Sequence, residues 1–266
     1  PGSRQAHQIP AIVREIESRV AGEGGRLLAT GAALPANLPA RLGLADLRSM
    51  DPVRPRSLAR LHGALGTTSS DLPGPVTKPW AGLAGAWGVR WLATPPQGPS
   101  AACAVGWQEV YRDGGGRLYR NTRTLPVMRL ASRAVASPGD PADGAWEDLD
   151  FGTTAVVNTP IELGGEGEVA EVENRPARHV AHVRSRGRVL AVLHVPFAPG
   201  WRTWLDGRAL TQVEADLGGM GVVVTDGDHE VRWEYTPPGL ALGAGLTLAG
   251  LAGCLLLSLS SAGRRR

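Results

Sequence analysis

The sequence predicts an α+β fold: a small α/β unit, then an antiparallel β-sandwich of the jelly-roll or immunoglobulin-like type, and one C-terminal transmembrane helix. Three observations lead to this fold. Helical and strand patterns interleave over residues 1–136, short strands follow one another over 146–236, and residues 239–259 carry no charge. Interleaved elements favour a mixed unit, serial short strands favour a sandwich, and a long uncharged apolar run favours a bilayer.

The first unit, residues 1–136, opens with a predicted amphipathic helix at 10–20. Ile12, Val13, Ile16 and Val20 recur there at helical spacing. A second helix is predicted at 56–65. Four strands are predicted at 26–31, 87–94, 106–113 and 116–122. The segment "SPGDPADGA", residues 137–145, reads as a linker by composition.

Residues 146–236 are predicted to form the sandwich. The predicted strands lie at 153–159, 168–173, 178–185, 188–196, 201–205, 208–213, 220–225 and 229–235. In the last of them Val231, Trp233 and Tyr235 alternate with charged residues, the pattern of a half-buried strand. The segment "VLAVLHV" is nearly all apolar and predicts a central strand. The dipeptides at 206–207 and 226–227 are Asp-Gly, which favours two-residue hairpin turns.

Residues 237–260 are the predicted transmembrane helix, and residues 261–266 are its basic cytoplasmic tail. As a helix, the uncharged part would be about 30 Å long, the thickness of the hydrocarbon core of a membrane. Arg264, Arg265 and Arg266 follow it, and arginines beside a span favour the cytoplasmic side. We therefore expect localisation at the cell membrane, with the bulk of the chain extracytoplasmic. The first residues, "PGSRQAHQIP", carry neither an initiator Met nor the pattern of a signal peptide. We therefore expect the chain to be the C-terminal piece of a larger membrane protein.

Small residues recur along the predicted span. Gly239 and Gly243 form one small-residue pair, and Gly245, Ala249 and Gly253 continue the spacing of four. Such a stripe lets helix backbones approach closely, which favours packing against upstream transmembrane helices of the same protein. A composition rich in glycine and alanine gives the same stripe by chance.

Charge and cysteine content exclude several classes of function. The chain has 28 Lys and Arg against 25 Asp and Glu, and three of the arginines are its last three residues. The body is therefore neutral, which argues against a nucleic-acid partner. Cys103 and Cys254 lie in a soluble segment and in the apolar segment, so a disulfide between them is not expected. His179 and His182 point to opposite faces of a strand, so no metal site and no cofactor are predicted.

A candidate ligand-binding face lies on the predicted strand at 201–205. Arg202, Trp204 and Asp206 would share one side of the strand, and Trp201 would point to the other. An exposed indole beside a guanidinium and a carboxylate suits stacking on a sugar ring. The alternative is that Trp204 packs on the sandwich or lies at the membrane interface, where tryptophan is enriched.

Two segments carry a resemblance to a known family. They are "VLHVPFAPGWRTWLDGRAL" and "DGDHEVRWEYTPPGLALG", and weaker likenesses lie in "LPANLPARLGLADLRSMDP", "WGVRWLAT" and "LYRNTRTLP". In this order they resemble the C-terminal extracytoplasmic region and last transmembrane helix of the YfhO-like bacterial membrane proteins, a group of GT-C-type glycosyltransferases. The residues that match the family's motifs are Pro199, Gly200, Trp201, Gly207, His229 and Tyr235.

The resemblance implies a role in glycan modification at the cell envelope. In that family the catalytic acidic residue lies in an early loop between N-terminal spans, and no residue here matches it. We therefore assign no catalytic residue and expect a non-catalytic outer domain. The expected partners are the lipid bilayer, upstream transmembrane helices, and a polyprenyl-linked sugar or cell-wall glycan. A membrane-anchored carbohydrate-binding module and a structural scaffold remain the alternatives.

Overall fold

The structure is a computed structural model that describes residues 11–31, 33–34, 38–48, 56–67, 76–99, 104–137 and 148–263. Side chains are described over the same ranges except at Arg56 and at 255–263. The fold is mixed α+β, with most elements being strands arranged in three sheets and one helix at the C-terminal end. The predicted α+β class is confirmed at this level.

In the ranges that the structure describes, the N-terminal part combines four short helices with a four-stranded sheet. The helices are α1 (Ala11–Glu23), α2 (Leu38–Arg41), α3 (Arg56–Ala64) and α4 (Ala81–Ala86). The strands are β1 (Arg26–Ala29), β2 (Val89–Thr94), β3 (Trp107–Arg112) and β4 (Arg117–Asn121), in the order β1-β2-β4-β3. The apolar stripe of α1 explains its packing, because Ile12 and Ile16 share a buried cluster with Trp91 of β2.

A six-stranded sheet follows. Its strands are β5 (Met128–Ala131), β6 (Arg133–Ala136), β7 (Thr154–Val157), β10 (Val189–Leu193), β13 (Val213–Ala215) and β14 (Gly219–Val224), in the order β5-β10-β14-β13-β7-β6. Every residue of β10 is buried, as its apolar sequence predicts for a strand inside a sheet. The β6–β7 pair is parallel, which corrects the prediction of purely antiparallel pairing.

The third sheet has five antiparallel strands. They are β8 (Glu166–Arg175), β9 (Arg178–Arg186), β11 (Trp201–Leu205), β12 (Arg208–Leu210) and β15 (Gly227–Tyr235), in the order β12-β11-β15-β9-β8. One buried cluster combines residues of this sheet, such as Val231 and Trp233, with Leu193 and Val222 of the six-stranded sheet. The alternation read from residues 229–235 is therefore the alternation between core and outer surface.

The sheet pairing does not follow the unit boundary predicted from composition. Strands β5 and β6 lie within residues 1–136, yet they pair with β10 and β7 of the later region. In addition, Phe151, Val156 and Leu217 belong to the same buried cluster as Trp87. Of the predicted linker 137–145, residues 138–145 lie outside the described residues.

The two Asp-Gly dipeptides behave differently. Asp206 and Gly207 have φ values of 50° and 78° and connect β11 to β12, so this predicted hairpin is confirmed. Asp226 and Gly227 connect β14 to β15, which belong to different sheets. The predicted second hairpin is therefore wrong, because a short turn here passes the chain from one sheet to the other.

The C-terminal helix α5 spans Leu240–Gly263. Over the part of it whose side chains are described, leucines such as Leu242, Leu246 and Leu248 are 66–69 % exposed. Among the residues that the structure describes, no helix is both long enough and apolar enough to cross a membrane. The predicted span 239–259 extends beyond these residues, since the side chains of 255–259 lie outside the description.

A buried polar network joins the N-terminal part to the six-stranded sheet. Asp216 Oδ2 accepts a hydrogen bond from Arg129 Nη2 at 2.6 Å and lies 2.7 Å from His194 Nε2, while Asp216 Oδ1 accepts from the Val156 backbone N–H. Trp87 Nε1 donates to the Asp216 carbonyl oxygen at 2.9 Å. The side chains of Asp216 and His194 have no solvent exposure.

The charge state of this network follows from its surroundings. Burial opposes ionisation of Asp216, but the Arg129 guanidinium and the His194 hydrogen bond outweigh it and hold the pKa of Asp216 below its ordinary value. Burial lowers the pKa of His194, despite the neighbouring carboxylate. The ionised Asp216 carboxylate therefore lies between the Arg129 guanidinium and His194 Nε2, while His194 Nδ1 lies 3.2 Å from the Val127 carbonyl oxygen.

We expect Asp216→Asn to destabilise the fold by about 3–5 kcal/mol, because it leaves the buried Arg129 guanidinium without its counter-charge. Asparagine tolerates the φ of 50° found at this position, so the backbone is not the cause. The measurement is chemical denaturation followed by tryptophan fluorescence. Asp228→Asn is the matched control, since its ion pair with Arg184 is exposed and its loss costs less than about 1 kcal/mol. Equal losses for the two variants would contradict the assignment.

Candidate functional site

The strand β11 divides the predicted site residues between its two faces. Trp201 and Thr203 are buried, Arg202 is exposed and Trp204 is half-buried. The sequence prediction that Trp201 and Trp204 point to opposite sides is confirmed. The outer side of β11 therefore presents Arg202 and Trp204, and the inner side supplies Trp201 to the core.

Trp204 is already in contact with a cation. It lies opposite Arg232 in the β11–β15 register, and the Arg232 guanidinium sits 4.8 Å from the centroid of the Trp204 ring. This distance is that of a cation–π contact. One face of the indole is therefore covered by the protein itself, while Arg202 lies opposite Glu234 two pairs further along.

Asp206 is engaged by β15 rather than by its predicted neighbours. Its Oδ2 lies 2.7 Å from His229 Nδ1, and its Oδ1 accepts the backbone N–H of Glu230 at 2.8 Å. Two of the predicted residues, Asp206 and His229, are thus brought together. Among the described contacts none joins Arg202, Trp204 and Asp206 to one another, and a sugar-binding face made of these three stays a prediction.

The contact between Asp206 and His229 shifts the pKa values of both residues. The hydrogen bond from His229 and the Glu230 N–H lower the pKa of Asp206, and the Asp206 carboxylate raises the pKa of His229. His229 Nε2 also lies 3.2 Å from the Asp226 carbonyl oxygen. Because both ring nitrogens face acceptors, the geometry favours the doubly protonated imidazolium. The pair ties the β11–β12 turn to the first half of β15.

The motif residues 199–201 pack against the end of β15, where the chain leaves the five-stranded sheet. We call this packed segment the collar. Gly200 has a φ of 107°, and a side chain there would collide with the Thr236 carbonyl oxygen and approach the Tyr235 ring to 2.9 Å. Trp201 packs on Tyr235 with ring centroids 5.3 Å apart, and on His179 at 5.7 Å. Pro199 is exposed beside them. Gly200 is thus required by a close approach of backbone, and Trp201 and Tyr235 by packing.

The outer face of the five-stranded sheet carries twelve charged side chains, which are distributed unevenly between its two ends. At the end nearest α5 it presents four arginines and two glutamates, which are Arg175, Arg178, Arg202, Arg232, Glu173 and Glu234. At the opposite end it presents four acidic residues and two arginines, which are Glu166, Glu168, Asp228, Glu230, Arg184 and Arg186. Facing residues in the antiparallel register share a side of the sheet, which fixes these assignments.

An open cleft of about 590 Å³ lies at the acidic end. It crosses β8, β9 and β15, and its polar lining includes His182 opposite Glu230 and the Arg184–Asp228 ion pair. Ala170 lies beside His182 in the register, and its small side chain leaves the space open. The cleft is open to solvent, and its lining combines these charged and polar groups with Val169, Ala170 and Val183.

The histidines form no metal site in the part of the chain that the structure describes, where no group of three metal-ligating side chains occurs. His179 is buried at the inner side of β9, and His182 is exposed at its outer side. The expected separation of these two residues is confirmed. Cys103 lies outside the described residues, and Cys254 is exposed on α5.

Sequence reasoning missed the Arg129–Asp216–His194 network. The three residues follow or lie in separate strands, β5, β13 and β10, and nothing in their spacing marks them as partners. The one feature that could have indicated the network is the position of two polar residues. Asp216 and His194 each directly follow a strand whose residues are mostly apolar. A buried polar group needs a partner, but the sequence does not name the partner.

A scan of protein-family models and a search of curated protein sequences each found no match to this chain.

We expect Gly200→Ala to destabilise the protein far more than Gly207→Ala. Both glycines have positive φ, which costs an alanine about 1–2 kcal/mol. At Gly207 no atom lies within 4 Å of an added Cβ, whereas at Gly200 the Thr236 carbonyl blocks it. The measurement is the thermal midpoint of each variant beside the unchanged chain. Equal midpoints for the two alanine variants would show that the collar imposes no constraint.

We expect the stabilisation from His229 to depend on pH. Its folded-state pKa is raised, so its contribution is complete below the unfolded value of about 6.5 and is lost as the pH rises through the folded value. The lowered pKa of Asp206 removes the contribution again in strong acid, below about pH 4. The difference in unfolding free energy between the chain and His229→Gln should therefore be largest between about pH 4 and 6.5.

The size of this effect is about 0.5–1 kcal/mol, because half of the Asp206 side chain is exposed. The measurement is chemical denaturation at a series of pH values. His182→Gln is the control, since His182 is exposed on the same sheet and should give a difference that does not follow this profile. A His229→Gln difference that is constant from pH 5 to 9 would contradict the assignment.

Proposed function

We propose that this chain is the non-catalytic, extracytoplasmic C-terminal domain of a polytopic membrane protein that is anchored by α5. The observation that carries this proposal is the surface of α5. Its described leucines, including Leu240, Leu242 and Leu251, are 58–69 % exposed, and the residues from 241 to 252 are all exposed. A water-exposed apolar patch of this kind calls for an apolar surround. A bilayer supplies it on all sides at once.

The connection between the sheets and α5 supports the same proposal. Only residues 236–239 separate β15 from α5, and the Thr236 N–H donates to the Gly200 carbonyl oxygen at 3.0 Å. The helix therefore leaves directly from one end of the five-stranded sheet. We infer that this sheet and the six-stranded sheet, which share the Trp233 cluster, face each other as a sandwich that lies close to the bilayer surface.

The orientation and the helix partners rest on the sequence. Arginines follow the apolar segment, which favours a cytoplasmic C-terminus and an extracytoplasmic position for the sheets. Within α5, Gly245, Ala249 and Gly253 have the spacing of four that permits close helix packing. Gly239, the first residue of the predicted stripe, precedes the helix and has a φ of 80°. Upstream transmembrane helices of the same protein are the partners proposed for this stripe.

A non-catalytic role agrees with the position of the titratable groups. Asp216, His194 and Arg129 form one cluster of catalytic-type side chains, and 95 % or more of each side chain is buried. The cluster therefore presents no carboxylate or imidazole to a substrate. A link to lipid-linked-sugar glycosyl transfer at the cell envelope rests on the resemblance to the YfhO-like proteins alone.

We expect the full chain to float with phospholipid vesicles in a density gradient after reconstitution. Leu248→Lys combined with Leu251→Lys should abolish flotation, because each lysine near the middle of a span costs about 2.5–3.5 kcal/mol. Val172→Lys combined with Leu210→Lys is the matched control, since these side chains are also exposed and apolar but lie in the sheet. This control should float like the unchanged chain.

Two results would overturn the proposal. A full chain that stays at the bottom of the gradient would contradict the anchor. A reading frame with a signal peptide directly before Pro1 would contradict the glycosyltransferase part, which requires many apolar spans and an acidic early loop upstream.

A further inference from the structure

The outer face of the five-stranded sheet is polarised along the direction of α5. Four arginines and two glutamates, with Trp204, lie at the end nearest α5. Two arginines and four acidic residues lie at the other end. The formal charges are therefore about +2 and −2 on two halves of one surface. Pairing neutralises part of each half, but it does not remove the asymmetry.

The strand register places the basic half level with the start of α5. Arg178 lies opposite Glu234 and Trp201 lies opposite Tyr235, the last residue of β15. Arg175 pairs with Arg178 across the β8–β9 turn. The acidic residue Asp228 lies six positions before Glu234 on β15, which is about 20 Å at the rise of an extended strand. One half thus lies at the helix end, and the other lies away from it.

We propose that this basic half, the surface of Arg175, Arg178, Arg202, Arg232 and Trp204, docks on anionic phospholipid headgroups. This proposal rests on the membrane anchor proposed above. Guanidinium groups bind phosphate oxygens in a bidentate manner, and each arginine near an anionic membrane surface contributes about fivefold to association. Tryptophan is favoured in the same headgroup layer. The acidic half is repelled by the same lipids, so the polarity sets the sheet upright on the bilayer.

The side chains at this rim are free to reach such a layer. Arg175 is 76 % exposed, and its one recorded ion pair is with the neighbouring Glu173. Arg202 is also exposed, on β11, which lies three strands away from β8 in the same sheet. The β8–β9 turn, with Pro176 and Ala177, is exposed as well. Ion pairs this exposed contribute little to folding, so exchanging a glutamate for a lipid phosphate carries little cost.

The test uses the full chain reconstituted in vesicles, with a polarity-sensitive fluorophore on Ala177→Cys in a background where Cys103 and Cys254 are serine. We expect a blue shift of emission in vesicles of phosphatidylcholine with phosphatidylglycerol relative to phosphatidylcholine alone. The same fluorophore on Thr225→Cys, at the opposite end of β15, should show no difference between the two lipids. About 1 M salt should remove the shift at Ala177, since the Debye length falls to about 3 Å.

Two pairs of arginine substitutions distinguish docking through the basic half from a general effect of the net charge of the protein. Arg175→Gln with Arg178→Gln should lower the ratio of docked to undocked protein on the order of 30-fold. Arg184→Gln with Arg186→Gln removes the same charge from the acidic half and should leave the shift unchanged. An Ala177 shift that is equal in both lipids, or equally sensitive to either arginine pair, would overturn the proposal while flotation upholds the anchor. A chain that does not float at all would overturn the anchor first and this proposal with it.

Discussion

The ionised carboxylate of Asp216 is the constraint on which the rest of the structure depends. It holds Arg129 of β5, the ring of His194 after β10 and the backbone of Val156 in β7 at hydrogen-bond distance, all away from solvent. Its carbonyl oxygen binds the Trp87 indole, and Arg26 of β1 donates to the carbonyl oxygens of Trp87 and His194. Breaking a buried ion pair costs more than forming it gains, so the network enforces one relative arrangement of the sheets.

At the end of the five-stranded sheet, the short motif at 199–201 determines where the chain leaves β15. Gly200 permits the chain to pass against the Thr236 carbonyl oxygen, and Trp201 then packs on Tyr235. The same few residues therefore direct the chain out of β15 and into α5. A membrane anchor, a rigid collar and a basic outer rim would together fix the height and tilt of the sheets above a bilayer.

Several strands could be read from the sequence because their apolar pattern matches their burial. The alternation over 229–235 predicted one outer and one inner face, and the apolar run of β10 predicted a central strand, all of whose residues are buried. The candidate site was predicted only in part. The opposite directions of Trp201 and Trp204 follow from a period of two, whereas the Arg232 contact and the Asp206–His229 pair depend on which strand lies beside β11.

The sequence by itself determined the local geometry: which segments form strands, which faces are apolar, that Asp206 and Gly207 make a tight turn, and that residues 239–259 form a long uncharged segment. Only the tertiary structure decided the partners. Asp226 and Gly227 resemble Asp206 and Gly207 in sequence but join two different sheets, and β5 and β6 pair across the boundary that composition suggested. The physical reason is that turns and alternation arise from neighbouring residues, while strand order and buried ion pairs arise from long-range contacts. Arg129 and Asp216 are 87 positions apart, and no local pattern connects them.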